Sequence, residues 1–185
     1  MQVSTRTNCF CILEQFSEIL SYPRDDYLQR VDACRSLTGE IDREAAKDLR
    51  DFSACVCDLT IEGVQEVYVQ TFDLNPICAL EVGWQLYGDN YERGNFLVNM
   101  RQELKRCGVP ENSELPDHIS HVLPLLARMN GATAGSLARE SVIPALSKML
   151  AAIAGKDSPY EKVLKALSRV LESVWRDSAQ EASHD

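Results

Sequence analysis

The sequence predicts an all-α fold. Apolar residues recur at spacings of three and four almost throughout its 185 residues. No run of five or more alternates at period two with the β-branched and aromatic enrichment of a strand. With 45% apolar and 25% charged residues, the chain is expected to form one domain, a bundle of about eight or nine helices spanning residues 1–185. Residues 8–177 are expected to be its ordered core, with 1–7 and 178–185 as frayed tails.

The first helix is expected from Cys9 to Leu20, ending before Tyr22-Pro23 because the residue preceding a proline is driven out of the helical region. Asp25 and Asp26 open a second helix, where acidic side chains suit the dipole. A third runs from Asp42 to Leu59 and a fourth from Ile61 to Phe72, stopped by Asn75-Pro76. Cys78 to Leu86 reads as a short apolar helix, Gly88-Asp89-Asn90 as a turn, and Tyr91 to Cys107 as a helix closed by Gly108. Gly108 to Leu115 is polar and reads as a loop, after which Pro116 suits the first position of a helix continuing to Met129.

Gly131 to Gly135 reads as a break of small residues and as a candidate hinge for exchange between two copies. A helix from Ser136 to Ala154 follows, kinked at Pro144. After a second break at Gly155 to Ser158, the last helix carries the stripe Tyr160, Val163, Leu164, Leu167, Val170, Leu171, Val174 and Trp175.

The net charge of −9 disfavours nucleic acid and anionic membrane as partners, because phosphate binding needs clustered Lys and Arg. The acidity is uneven. Residues 1–127 hold 21 acids against 11 bases, and residues 128–185 hold 7 against 8, so the first two thirds favour a basic partner such as a peptide. No export signal and no window near the ~18 apolar residues of a membrane span is present, which predicts a soluble, cytoplasmic protein. Seven cysteines, an odd number, then read as reduced thiols.

Cys9/Cys11 and Cys55/Cys57 are one residue apart, whereas paired zinc ligands usually have two residues between them, so these cysteines are expected in the core. His118 and His121, with Asp117 beside them, have the spacing of metal ligands on one helix face, but no HExxH and no second helix with a Glu-x-x-His supplies the remaining ligands. Asp117 has an ordinary alternative, a carboxylate facing the free N–H groups of its own helix start. The chain has no GxSxG, GxxxxGK[ST] or GxGxxG and only three histidines, so neither an enzyme nor a cofactor is expected. Tyr68, Phe72 and Trp84 either line a groove or pack in the core. The residues alone describe a helical binding module.

Five segments carry a closer likeness. They are Leu20-Ser-Tyr-Pro23, Tyr68-Val-Gln-Thr-Phe-Asp73-Leu, Tyr87-Gly-Asp-Asn-Tyr-Glu-Arg-Gly94, Glu114-Leu-Pro-Asp-His118-Ile and Ser158-Pro-Tyr-Glu-Lys-Val-Leu164. In this order and spacing the chain resembles, over about residues 10–175, the delta-chain (NarJ-like) family of respiratory nitrate reductase assembly chaperones. That family lies within the TorD/DmsD-type redox-enzyme maturation proteins. The resemblance implies an all-helical TorD/NarJ-like chaperone fold and a cytoplasmic protein. It further implies binding to the N-terminal segment of a molybdoenzyme catalytic subunit and support for molybdenum-cofactor insertion before membrane docking or export.

Carried onto this chain, the resemblance implies a peptide groove at Tyr68, Phe72, Asp73, Leu115, Asp117 and His118. In that reading the two aspartates attract basic side chains, and the aromatic residues and Leu115 flank the apolar part. Asp117 remains a helix cap in the other reading, and His118 either tunes recognition or holds the loop. Asn75 to Glu81 lacks the arginines that follow Phe-Asp-Leu in many relatives, so the client extends to other enzymes of the dimethyl-sulfoxide-reductase class. A helical adaptor for an unrelated peptide and a metal- or redox-active helical protein are the alternatives.

Overall fold

Short polar side chains begin four of the described helices. The structure, a computed structural model, describes the backbone of residues 2–175 and the side chains of residues 10–175. The helices are α1 (Gln2–Ile19), α2 (Tyr27–Thr38), α3 (Arg43–Val56), α4 (Ile61–Tyr68), α5 (Val82–Tyr87), α6 (Tyr91–Cys107), α7 (Ile119–Arg128), α8 (Gly131–Leu137), α9 (Ile143–Ile153) and α10 (Tyr160–Trp175). No strand occurs among the described residues, so the fold is all-α.

Asp42 accepts hydrogen bonds from the Glu44 and Ala45 amides at 2.9 Å, Thr60 from Gly63, and Asn130 from Thr133, each satisfying an N–H that the helix leaves free. Gly108 ends α6 in the left-handed region at φ 65°.

Packing runs in a circuit in which α7 lies on α1, α1 on α2, α2 on α3, α3 on α10, α10 on α9, α9 on α5, α5 on α6, and α6 returns to α7. Through the middle runs a chain of aromatic rings: Tyr27 to Phe52 at 6.3 Å, Phe52 to Tyr160 at 5.1 Å, Tyr160 to Phe72 at 4.9 Å, Phe72 to Tyr68 at 5.1 Å and Tyr68 to Tyr22 at 5.7 Å. Four of these contacts are edge-on and the fifth, Phe52 to Tyr160, is tilted, as ring quadrupoles prefer. The chain starts in the buried core and reaches the surface at Tyr22, which is half exposed.

Several expectations are corrected. α1 begins at Gln2, seven residues before its expected start. The expected tail at 178–185 lies outside the described residues. Cys78 to Leu86 is not one helix: Pro76–Cys78 form a 3-10 turn, Ala79 to Glu81 are non-helical, and α5 starts at Val82. Pro116 precedes its helix by three positions, and His118 is the cap.

Gly131 to Gly135 is the start of α8 and no break, because Asn130 caps it. At Pro144, which has no N–H, the chain widens into the π turn Ala138–Val142 between α8 and α9. Cys11, Cys55 and Cys57 are exposed, not in the core; Cys34 and Cys78 are buried and Cys107 is half-buried. The apolar face of α3 is supplied by Ala45, Leu49, Phe52 and Val56, which leaves its terminal cysteines outside. The side chain of Cys9 lies outside the described residues.

The Tyr27 hydroxyl donates to the Ile19 carbonyl at 2.8 Å and lies 2.9 Å from the Tyr160 hydroxyl, all of it buried. Tyr27→Phe strands both partners, so a loss of about 1–3 kcal/mol is expected. Thermal melting should show it as a Tm lower by roughly 2–10 °C.

Candidate functional site

Asp117 is a carboxylate with no exposure to solvent. Its Oδ2 accepts the Gly83 N–H at 3.0 Å. Gly83 is in the first turn of α5, so Asp117 does cap a helix, but a different one from its own. The backbone pairs alongside it: Val82 N–H donates to Asp117 O and Ile119 N–H to Leu80 O, both at 2.9 Å, giving an antiparallel bridge between Glu81 and His118. Glycine at 83 is required. A Cβ there would lie 2.7 Å from Asp117 Oδ2 and 2.8 Å from Phe96 Cδ1.

Arg93, on α6, places Nε 3.7 Å from Asp117 Oδ2, close enough to attract but too far to hydrogen-bond, and sits over the Trp84 ring at 5.2 Å. Burial raises the Asp117 carboxyl above its usual range, and Arg93 opposes that rise.

Above this buried pair lies a pocket of about 480 Å³. Tyr22, Tyr68, Phe72 and Trp84 supply aromatic walls, Leu80 and Pro76 apolar ones, and Asp73, Glu81 and Glu114 three carboxylates against the single guanidinium of Arg93. The π turn Val69–Asp73 forms one wall: the Leu74 N–H reaches back to Val69 O at 2.9 Å, which leaves Phe72 buried and Asp73 exposed. Burial raises the carboxyls of Asp73 and Glu81, and the nearby Asp117 charge adds to the rise at Glu81. The pocket is therefore short of cations.

Both neighbouring histidines are held by the protein. The Ser120 N–H donates to His118 Nδ1 at 3.2 Å, which assigns the proton of the neutral ring to Nε2. Burial, then His121, pushes the His118 pKa down from 6.5 to about 4. His121 accepts the Asn112 N–H at Nε2, 3.1 Å away, and Nδ1 donates to Leu115 O at 2.9 Å, so it fastens the loop that carries Glu114. No group of three or more His, Cys, Asp or Glu side chains suited to a metal ion occurs among the described residues.

Of the six residues expected at a groove, Tyr68, Phe72, Asp73 and His118 line this one pocket. Leu115 does not, standing 43% exposed beyond it, and Asp117 lies behind the wall with its carboxylate turned to Gly83. Trp84 lines the groove. Tyr22, Arg93 and Glu114 also line it; none has a signal of its own, but each falls inside a segment that carries the family likeness. Glu81 had no such signal, since its place depends on the backbone bridge to His118.

Gly83→Ala should destabilise the protein by about 2–4 kcal/mol through overpacking and loss of the Asp117 contact, although alanine is the better helix former. Chemical denaturation measures this directly.

His118→Asn keeps an acceptor for the Ser120 N–H. The native ring titrates near 4 and the unfolded ring near 6.5, so the unfolded chain binds the proton first. Its contribution is present above pH 6.5 and is lost as pH falls toward 4, up to about 3 kcal/mol. The raised carboxyls of Asp117 and Glu81 act in the opposite sense, so the difference in Tm between wild type and variant is the quantity to follow. Wild type should lose ground to the variant across that window.

The family model described as nitrate reductase delta subunit matches residues 38–166. A protein of Bacillus subtilis (strain 168), described as a nitrate reductase molybdenum cofactor assembly chaperone, NarJ, is 27% identical over 170 residues, covering 89% of this chain and 90% of that one. A crystal structure described as a redox enzyme maturation protein from Archaeoglobus fulgidus superposes with a TM-score of 0.60 at 25% identity, covering 86% of this chain and 91% of that one. The chain belongs to the nitrate reductase delta subunit family, the NarJ-like molybdenum cofactor assembly chaperones.

Proposed function

We propose that this protein is a cytoplasmic chaperone that binds the N-terminal segment of a molybdoenzyme catalytic subunit and supports molybdenum-cofactor insertion and assembly before membrane docking or export. The client is a nitrate reductase or a related enzyme of the dimethyl-sulfoxide-reductase class. The observation that carries this reading is the composition of one pocket, in which four aromatic rings stand with three carboxylates and one guanidinium. A segment that is partly basic and partly apolar complements both features, the rings burying its apolar side chains and the carboxylates meeting its cations. Leu74 and Ile77, 73% and 66% exposed, follow Asp73 and Pro76 in the chain and extend the apolar surface beside the pocket.

The protein binds and does not catalyse. The pocket's histidine has Nδ1 occupied by Ser120, and its pKa near 4 leaves it a poor proton acceptor at neutral pH. No helix among the described residues is long and apolar enough to cross a membrane.

Titration calorimetry with a synthetic peptide of the client's first few dozen residues tests the reading. Asp73→Asn combined with Glu114→Gln, both on exposed positions, should weaken binding by roughly 5- to 30-fold, with a shallower salt dependence and an unchanged melting curve. Full affinity in that variant would rule out a charge-based pocket. Affinity isolation of the tagged protein from anaerobically grown cells then identifies the client. Recovery of unrelated proteins only, while a molybdoenzyme is being made, would favour the adaptor.

A further inference from the structure

Among the described residues Arg93 is the one arginine or lysine lining the pocket, and it is loosely held. A guanidinium offers five N–H donors in a planar fork and usually grips a carboxylate through two of them. Here the contacts are the face of Trp84 at 5.2 Å and an approach of 3.7 Å to Asp117. Arg93 Nε and Asp117 Oδ1 are both buried without a hydrogen-bond partner. The side chain is nonetheless hard to dispense with, since its charge moderates both Asp117 and Glu81. One cation serves two carboxylates and hydrogen-bonds poorly to the nearer.

We propose that Arg93 is a stand-in, occupying in the free protein the position on Trp84, beside Glu81 and Asp117, that a guanidinium of the client segment takes on binding. The inference rests on the pocket being the client site, and it names the chemistry selected there. A planar guanidinium can stack on Trp84 and fork toward carboxylates as Arg93 does, which a lysine ammonium does less well. Two guanidiniums cannot share the position, so binding displaces Arg93. The side chain is 20% exposed and held by a ring face and through-space attraction, contacts that give way more cheaply than paired hydrogen bonds. A neutral segment has nothing to put in its place and leaves Arg93 where it is.

The test is calorimetric, with a capped synthetic peptide carrying one arginine among leucines and alanines, and the same peptide with neutral citrulline at that position. Arg93→Met keeps an unbranched apolar stem for Trp84 and removes the competing charge. The variant should bind the arginine peptide about five-fold or more tightly than wild type does, with little change for the citrulline peptide. General damage to the pocket weakens binding, and loss of a repulsive charge alone tightens any cation. The gain must therefore exceed that of the same peptide with lysine at that position, and an equal gain for lysine overturns the proposal.

Because the substitution leaves Asp117 without its cation, Arg93→Met is also measured on an Asp117→Asn background, which retains an acceptor for the Gly83 N–H, and compared with Asp117→Asn alone. Equal or weaker binding on both backgrounds overturns the proposal while leaving the client site intact. Binding of neither peptide by wild type or variants overturns the client-site reading, and this proposal with it.

Discussion

A carboxylate removed from water has to be matched by donors, and the arrangement around Asp117 follows from that requirement. Its carboxylate takes the Gly83 N–H, its carbonyl takes the Val82 N–H, and the Leu80 carbonyl receives the Ile119 N–H, so three bonds fasten the loop before α7 to the start of α5. Those bonds set where Leu80, Glu81, Trp84 and His118 stand, and with them one side of the pocket. The match is incomplete, because Oδ1 has no partner and Arg93 stays at ion-pair distance. A helical bundle that needed only stability would favour an apolar residue here.

Rigidity and irregularity are divided between the two halves of the site. The aromatic chain from Tyr27 to Tyr68 is embedded in the core and holds its wall from behind. The walls themselves are made where helical geometry gives way: a π turn at Val69–Asp73, a 3-10 turn at Pro76–Cys78, and the isolated bridge between Glu81 and His118. Each turns a side chain in a direction that a continuous helix would not. Departures from local rules tend to gather where binding is done, and three of them border this cavity, whereas the π turn Ala138–Val142 contributes no residue to its lining.

Charge adds the chemical character. Among the described residues Asp73, Glu81 and Glu114 face the pocket with Arg93 as the only strong cation, and burial raises the carboxyls of the first two. The chain belongs to a family of molybdenum cofactor assembly chaperones, and this surface is the one proposed above as its client site.

Most helices were legible from periodicity and punctuation, since an apolar stripe, a short polar cap and a following glycine or proline act within a few residues of one another. Asp42, Asn75-Pro76 and Gly108 are cases where that local chemistry decided the outcome. The likeness carried by five segments placed Tyr68, Phe72, Asp73 and His118 together, and the folded chain does bring them to one pocket. What only the tertiary structure decided is which partner each group finds. Asp117 could serve its own helix or another, and it serves α5 because Gly83, 34 residues earlier, has no side chain to keep the carboxylate away. Glu81 and Arg93 join the pocket for the same reason: long-range pairing depends on which surfaces pack, and no local pattern records it.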